Sequence, residues 1–260
     1  MSLLFAREEL LERDRLLVHA RPAQIAVEQL HASIGVEDRP RIDARLAMLD
    51  PALGAAVLRA ANAAHLGYSR RISGIRQASV MLGGTFVASL MAARVADLVF
   101  DTAPPDYPEW LWPHSLTVAA AASVLAKRLD ESTDDAYTAG LLHDVGWLQA
   151  ATSRTVDDDT PTSHPRACGR LFTRWNFPDR LIGAVEHHHA RPDALVDPLE
   201  RIVVAAHGIA KAMGAAGPEP APSKLESLRL VSLGSLRAST IIDETEQELF
   251  TLTGLLRGRG

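Results

Sequence analysis

The chain has 260 residues, of which 47% are apolar, so it can bury a sizeable core as one large domain or two small ones. It is rich in Ala and Leu and poor in aromatic residues, which favours helices over sheets. The formal net charge is −5, and no basic block exceeds a pair such as Arg70–Arg71, which disfavours a nucleic-acid partner.

The single cysteine and the apolar runs indicate the cellular compartment and whether the chain crosses a membrane. Cys168 is the only cysteine, cannot form an internal disulfide and lies on an apolar face, so we expect a buried thiol in a reducing cytoplasm. Charged residues at positions 7–9 interrupt the start of the chain, so we expect no signal peptide. The uncharged run 77–93 is short for a bilayer span, and we interpret it as two buried helix segments that meet at a turn. We therefore expect no membrane contact.

In chain order, every predicted element is helical, and no period-two alternation requires a strand. The first part, 1–100, is a series of helices, one of which begins at Asp50–Pro51 because proline is tolerated in a first turn. Asn62 is expected to tie a helix end by hydrogen bonding. After a proline-rich loop, residues 110–213 hold most of the histidines. The tail, 223–260, is predicted to form two more helices with a break near Gly234.

The first two predicted helices of the middle part carry histidine and aspartate residues on faces that point towards the core. In the helix over about 113–127, His114 shares its face with apolar residues four, seven and eleven positions later, which is the core side. The next helix, over about 132–150, begins with a capping pair formed by Ser132 and Asp135. Its apolar run leads directly into His143 and Asp144.

Three further helices carry the remaining histidines. His164 opens one of them and lies on its apolar face. The next begins near Pro178 and carries the triplet 187–189, in which His188 and His189 face inward while His187 flanks them. The last begins after the cap Asp197, and His207 lies at the edge of its apolar stripe.

These residues are suitable ligands for a divalent ion. A buried aspartate is costly unless it is paired or coordinates a metal, and imidazole with carboxylate suits Fe, Mn, Zn or Ni. Such an ion generates hydroxide that can attack phosphorus. Hydrogen-bonded core histidines, a structural His143–Asp144 bond and a solvated triplet remain alternatives. The predicted metal ligands are His114, His143, Asp144, His164, His188, His189 and His207.

Several segments resemble the HDOD family of the HD phosphohydrolase superfamily. Residues 141–148 read LLHDVGWL and look like the HD signature L-L-H-D-I-G-K, and residues 112–115 read WPHS, similar to the W-x-H-S of HDOD domains. Residues 163–189, SHPRACGRLFTRWNFPDRLIGAVEHHH, resemble the family's H-x-x-x-G to H-H segment. Residues 50–84, DPALGAAVLRAANAAHLGYSRRISGIRQASVMLGG, resemble an HDOD stretch that plain HD hydrolases and HD-GYP phosphodiesterases lack in this form.

The resemblance implies an all-α protein, a multi-helix HD-like bundle with an N-terminal helical subdomain packed against it. We expect one HDOD-type domain over 1–260, with an N-terminal half (1–100), an HD-like half (110–213) and C-terminal helices (223–260). The implied function is a bacterial signal-transduction or output module without catalysis. It would act through a signalling-protein partner or a nucleotide, with a divalent metal bound, as an oligomer or a monomer.

The alternative function is a metal-dependent phosphohydrolase or phosphodiesterase that acts on a nucleotide or a cyclic dinucleotide. The sequence departs from active relatives in three ways. Trp147 stands where active HD-GYP enzymes carry a lysine, no G-Y-P follows the triplet, and His207 replaces a late aspartate ligand. These changes argue against hydrolysis but not against metal binding, and no catalytic residue is assigned. We interpret Trp147 mainly as a core aromatic residue, with plugging of the site mouth as the alternative.

Overall fold

The structure is a computed structural model that describes residues 44–64, 71–90, 110–147, 164–191, 194–215, 217 and 238–253. Within these ranges the chain is helical and contains no strand, which confirms the predicted all-α fold. A short 3-10 helix, Ala44–Met48, is followed by α1 (Pro51–Ala64), α2 (Ile75–Leu82), α3 (Leu111–Arg128), α4 (Thr133–Leu142), α5 (His164–Arg174), α6 (Asp179–Glu186), α7 (Pro198–Ala212) and α8 (Ala238–Thr253). Residues 84–90 are also helical. The predicted break near Gly234 lies outside the described residues.

Helix α3 is at the centre of the bundle. It is buried along most of its length and packs against α4, α7 and α8. Alanines at 119–122 leave little side chain between the backbones, so neighbouring helices approach closely. At Gly140 of α4, a β-carbon would lie only 2.8 Å from the Cα of Ala119. This close contact fixes the end of α4, and the residues after it, against the middle of α3.

The N-terminal helices dock on this bundle through hydrogen bonds as well as apolar contacts. Trp112 of α3 donates its indole N–H to the carbonyl of Leu49 at 2.7 Å. The backbone N–H of Ile75 donates to the Thr138 hydroxyl of α4 at 3.0 Å. The Asp134 carboxylate accepts two N–H groups from the first turn of α2. The described N-terminal helices therefore share one core with the histidine-bearing helices.

Two helix ends differ from the sequence prediction. The sequence predicts one helix over about 132–150, but α4 ends at Leu142 and residues 143–145 form a turn. Similarly, α6 ends at Glu186, so the histidine triplet lies in a turn rather than on a helix. Apolar spacing does not reveal the end of α4, because residues 143–146 beyond it are also buried.

The uncharged run 77–93 is only partly as predicted. The expected turn is present, because α2 ends at Gly83 with φ +79° and helix resumes at residue 84. The prediction that both segments are buried is wrong, since Val80, Met81 and Phe86 are exposed by 78%, 49% and 51%. None of the helices in the described ranges has the length and hydropathy that a membrane span requires.

Candidate metal centre

The turn after α4, residues 143–146 (the HD turn), carries the central acid of the site. Helix α4 begins as predicted, with the Ser132 hydroxyl accepting the N–H of Asp135, and it ends with His143 at the C-cap position. The next residue, Asp144, is only 1% exposed. A carboxylate buried to this degree needs a compensating charge or ligand, because leaving water costs a bare ion several kcal/mol.

Four buried imidazoles surround the Asp144 carboxylate. The Nε2 atoms of His143 and His114 lie 3.2 Å and 3.5 Å from Oδ2. On the other side, the Nε2 atoms of His164 and His188 lie 3.0 Å and 3.3 Å from Oδ1. The four histidines belong to the HD turn, α3, the start of α5 and the turn after α6. Residues that are distant in sequence thus meet at one carboxylate.

Two further imidazoles complete the cluster. The ring centroid of His207, on α7, lies 4.9 Å from that of His114, and the His189 centroid lies 4.3 Å from that of His188. Two groups of histidines have ligand atoms close enough to hold an ion: a first ligand set of His114, His143 and His207, and a second ligand set of His164, His188 and His189. A third such group, His143, Asp144 and His188, joins the two sets. Asp144 lies between the two sets. Coordination of a metal by these seven residues stays a prediction.

Backbone carbonyl groups fix the tautomers of three of these histidines. In each, Nδ1 lies within hydrogen-bond distance of a carbonyl oxygen: His114 with Ala215 at 2.8 Å, His143 with Gly140 at 2.7 Å, and His188 with Val185 at 2.5 Å. A carbonyl only accepts, so Nδ1 carries the proton of the neutral ring and Nε2 keeps its lone pair. Outer hydrogen bonds of this kind orient histidines that bind metals.

As a result, lone pairs face one another inside the site. The Nε2 atoms of His114 and His143 are 3.2 Å apart, and both lie near the Asp144 carboxylate, which also only accepts. Asp144 Oδ1, His189 Nε2 and His207 Nδ1 are buried with no well-aligned hydrogen bond to any described residue. A cation satisfies this many buried acceptors in one place, so the residues present fit a divalent ion.

The protonation of the cluster agrees with this donor set. Burial lowers the pKa of His188 to about 4 and that of His189 to about 3, and it also lowers the pKa of His207. At neutral pH the imidazoles of His188, His189 and His207 are therefore neutral, which is the form that binds metals.

Aromatic rings and one backbone segment cover the cluster. The half-buried Trp147 stacks on His164, with centroids 5.2 Å apart and ring planes at 28°. Trp110 contacts both Trp147 and His114 with its ring edge-on, at 5.7 Å and 5.9 Å. At Gly217 a β-carbon would lie 3.4 Å from His114 Nε2. Trp147 thus lies over one side of the cluster, and its plugging of a site mouth stays a prediction.

Sequence reasoning missed residues that support the ligands rather than join them. Glu200, on α7 two turns before His207, accepts a hydrogen bond from Nδ1 of His187 at 2.9 Å and one from the N–H of Val196. Cys168 contacts the backbone of the HD turn. A glutamate seven residues before His207 is the only sequence signal for the first contact, and the second has none, because it involves backbone groups.

Comparison with protein families gives two overlapping matches. The HDOD domain model matches residues 41–160, and the HD domain model matches residues 111–226. Both matches include His114, His143 and Asp144, whereas His164 through His207 fall within the HD match alone. The family that the sequence motifs predicted is confirmed.

Among curated proteins the chain is similar to several named Ribonuclease Y. The protein from Thermus thermophilus is 34% identical over 113 residues, which are 44% of this chain and 18% of that protein. The one from Fervidobacterium nodosum is 30% identical over 115 residues, which are 44% of this chain and 21% of that protein. The chain therefore matches about a fifth of the length of these relatives.

Solved structures share the fold. The MmoQ response regulator from Methylococcus capsulatus has a TM-score of 0.62 at 22% identity, with 86% of this chain and 95% of that chain covered. A virulence factor from Campylobacter jejuni has a TM-score of 0.52 at 16% identity, with 87% and 93% covered. At these identities the similarity is one of fold alone.

Proposed function

Since the chain carries an HDOD domain, we propose that it is a signal-transduction module with a divalent transition metal bound between its helices. The metal links α3, the HD turn, α5, the turn after α6, and α7. The module acts in the cytoplasm through contacts with a signalling protein or a nucleotide, and not through turnover.

One observation carries the proposal of a metal. Three Nδ1–H groups are held by backbone carbonyls, so three Nε2 lone pairs point at a carboxylate that cannot donate to them. Satisfied polar networks have alternating donors and acceptors, whereas here the Nε2 atoms of His114 and His143 face each other and the Asp144 carboxylate as acceptors. The arrangement is favourable with a cation at its centre and unfavourable without one.

The donor set narrows the choice of metal. Six imidazoles and a single carboxylate favour borderline ions such as Zn, Fe or Ni over the hard ions Mg and Ca, which prefer oxygen ligands. His207 contributes to this preference, because it supplies nitrogen where the resemblance leads one to expect a carboxylate. Mn remains within the range that nitrogen and oxygen ligands hold together.

The surroundings favour a signalling role over hydrolysis. Six of the seven residues are buried, and the rings of Trp147 and Trp110 pack against His164 and His114 of the cluster. A bound metal would therefore stabilise one arrangement of the helices, and a partner that recognises this arrangement would sense whether metal is present.

Elemental analysis of purified protein tests the metal. After expression with added Zn, Fe, Mn or Ni, we expect at least one ion per chain in the wild type and none in Asp144→Ala. His187→Ala is the matched control, since it removes a histidine of the same triplet that is outside both ligand sets. Wild-type protein without metal after this treatment would overturn the proposal.

A second function is supported by the position of Asp144. Its two oxygens face different ligand sets, and two-metal hydrolases use a carboxylate in this way between their ions. A bound metal lowers the pKa of coordinated water and so supplies hydroxide at neutral pH. The alternative is thus a phosphodiesterase for a nucleotide or cyclic dinucleotide.

Turnover by metal-loaded protein separates the two functions. Suitable substrates are bis-p-nitrophenyl phosphate, a cyclic dinucleotide and, because the curated relatives are named ribonucleases, a short RNA. The signalling proposal expects no turnover that exceeds that of Asp144→Asn. Hydrolysis by the wild type that is lost in Asp144→Asn would replace it with the phosphodiesterase.

A further inference from the structure

The backbone of the HD turn is held from outside the ligand sets by one side chain, Cys168 of α5. Its thiol donates to the carbonyl of His143, with Sγ and oxygen 3.1 Å apart. The same sulfur accepts the N–H of Gly146 at 3.0 Å. One buried atom therefore contacts both ends of the turn that carries Asp144.

The thiol is in the state that these two bonds require. Cys168 is fully buried, and a carbonyl oxygen only accepts, so the sulfur carries the proton of the bond to His143. It accepts the Gly146 N–H at the same time. Each bond to sulfur is weak, but buried backbone N–H and C=O groups are costly to leave unpaired.

The position of Cys168 on α5 relates the HD turn to a second ligand. His164 lies four residues earlier, so both side chains are on the same face of the helix. His164 reaches Oδ1 of Asp144 at 3.0 Å, and one turn later Cys168 reaches the backbone on either side of Asp144. Helix α5 is therefore aligned with the HD turn at two neighbouring points.

Close packing leaves little freedom at this contact. A β-carbon at Gly146 would lie 2.6 Å from the Cys168 sulfur and 3.1 Å from the carbonyl oxygen of His164. The turn thus lies directly on the first turn of α5, with glycine at the point of contact. A shift of α5 along the turn would move His164 relative to Asp144.

On this basis we propose that Cys168 is a positioning residue for the metal centre, a role that rests on the proposed metal function. It aligns the HD turn and α5 so that His143 and Asp144 on one element, and His164 on the other, converge on the same ion. Sulfur does not bind the metal in this role. It fixes the backbone from which two of the ligands project.

The test compares metal affinity in Cys168→Ala, Cys168→Ser and the wild type, by competition with a chelator for Zn²⁺ and for Co²⁺. Loss of an outer hydrogen-bond partner typically weakens metal binding by about 10- to 100-fold, and we expect this range for Cys168→Ala. Serine keeps a donor and an acceptor at the same position, so Cys168→Ser should recover most of the affinity. The Co²⁺ absorption bands should change in Cys168→Ala and return in Cys168→Ser.

A matched control separates positioning from general stability. Phe172→Leu removes packing from a buried residue of the same helix, whose ring contacts Trp175 and Phe177. It should lower the melting temperature of metal-free protein without changing metal affinity or the Co²⁺ spectrum. Cys168→Ala should change both.

The outcomes distinguish this proposal from the proposed function. If the wild type binds neither Zn²⁺ nor Co²⁺, the metal function itself fails. If the wild type binds metal and Cys168→Ala binds it equally well with the same Co²⁺ spectrum, only the positioning role is overturned. Equal losses of affinity in Cys168→Ala and Phe172→Leu would also overturn it, because general destabilisation would then account for the effect.

Discussion

Two buried polar sites in this molecule differ in how their polar groups find partners. Asn62 on α1 is 3% exposed, and its side chain is fully paired: the amide nitrogen donates to the carbonyls of Leu58 and Ile72, and the oxygen accepts the N–H of Ile72. Asp144 is equally buried, but the lone pairs of His114 and His143 face it, and one of its oxygens has no well-aligned donor. The first site is complete within the chain, and we propose that a cation completes the second.

The comparison gives a physical criterion that residue types alone do not. A buried polar group whose donors and acceptors balance stabilises the fold directly, as Asn62 does between α1 and the start of α2. A buried hydrogen-bond acceptor that is surrounded by other acceptors lacks a partner, and a cation can supply one. The two sites should therefore respond differently to metal, to pH and to mutation.

Metal loading should produce the largest difference in stability between variants of the Asp144 site and variants of the Asn62 site. Ions that bind only the folded state at about a thousand times Kd add about 4 kcal/mol to the free energy of unfolding. We expect thermal or urea unfolding to show this gain in the wild type and its removal by a chelator. His143→Ala should lose most of the gain yet stay close to the wild type in metal-free protein. An equal loss in both states would make His143 a purely structural residue.

The second-largest effect should be a loss of stability when metal-free protein is acidified. The pKa of His188 is lowered from 6.5 to about 4, so below pH 6.5 the unfolded chain takes up a proton that the folded chain does not. Stability should therefore fall as the pH drops from 6.5 towards 4, by about 1.4 kcal/mol per pH unit for each such histidine. His189 adds to this in the same direction. Urea midpoints at a series of pH values measure the slope, and a flat profile over this range would contradict it.

The Asn62 site should respond to neither metal nor pH. Asn62→Ala removes three hydrogen bonds, including those to the buried N–H and carbonyl of Ile72, which should cost about 2–3 kcal/mol. The loss should be the same with metal and with chelator, and the same at pH 7 and pH 5. A metal-dependent loss would show that the two sites are not independent.

The smallest effect is expected at Glu200, which supports the triplet turn through His187. Glu200→Gln weakens this bond and should reduce metal affinity by about tenfold, or about 1.4 kcal/mol, without changing the number of ions bound. Chelator competition measures the affinity, and elemental analysis measures the stoichiometry. Unchanged affinity would mean that the triplet turn holds its position without Glu200.

The sequence predicted the fold and the ligand residues for different physical reasons. Periodic apolar spacing marked the helices, and capping chemistry marked the starts of α4 and α7 at Ser132 and Asp197. The histidines were found because they lie on those apolar faces, where imidazoles are uncommon, and because the motifs resemble the HDOD family. These signals are local, so each can be recognised within a few turns of chain.

The features that the sequence did not predict depend on tertiary contacts. The end of α4 at Leu142, the tautomers and the exposure of Val80 and Phe86 depend on which backbone groups and neighbours meet in space. The contact between Cys168 and the HD turn belongs to the same class, since its partners are a carbonyl and an N–H that every residue type possesses. Patterns of side chains carry no information about such pairs.

The bond between His114 and Ala215 has a consequence that extends beyond the ligands. It joins the ring of a residue near the start of α3 to the main chain just past the end of α7, 101 positions later. With the proposed ion bound, occupancy of the centre and the position of Ala215 would be thermodynamically linked, and the linkage would be reciprocal. A binding event that pulls Ala215 away would then weaken ion binding by the same free energy with which the ion holds Ala215 in place.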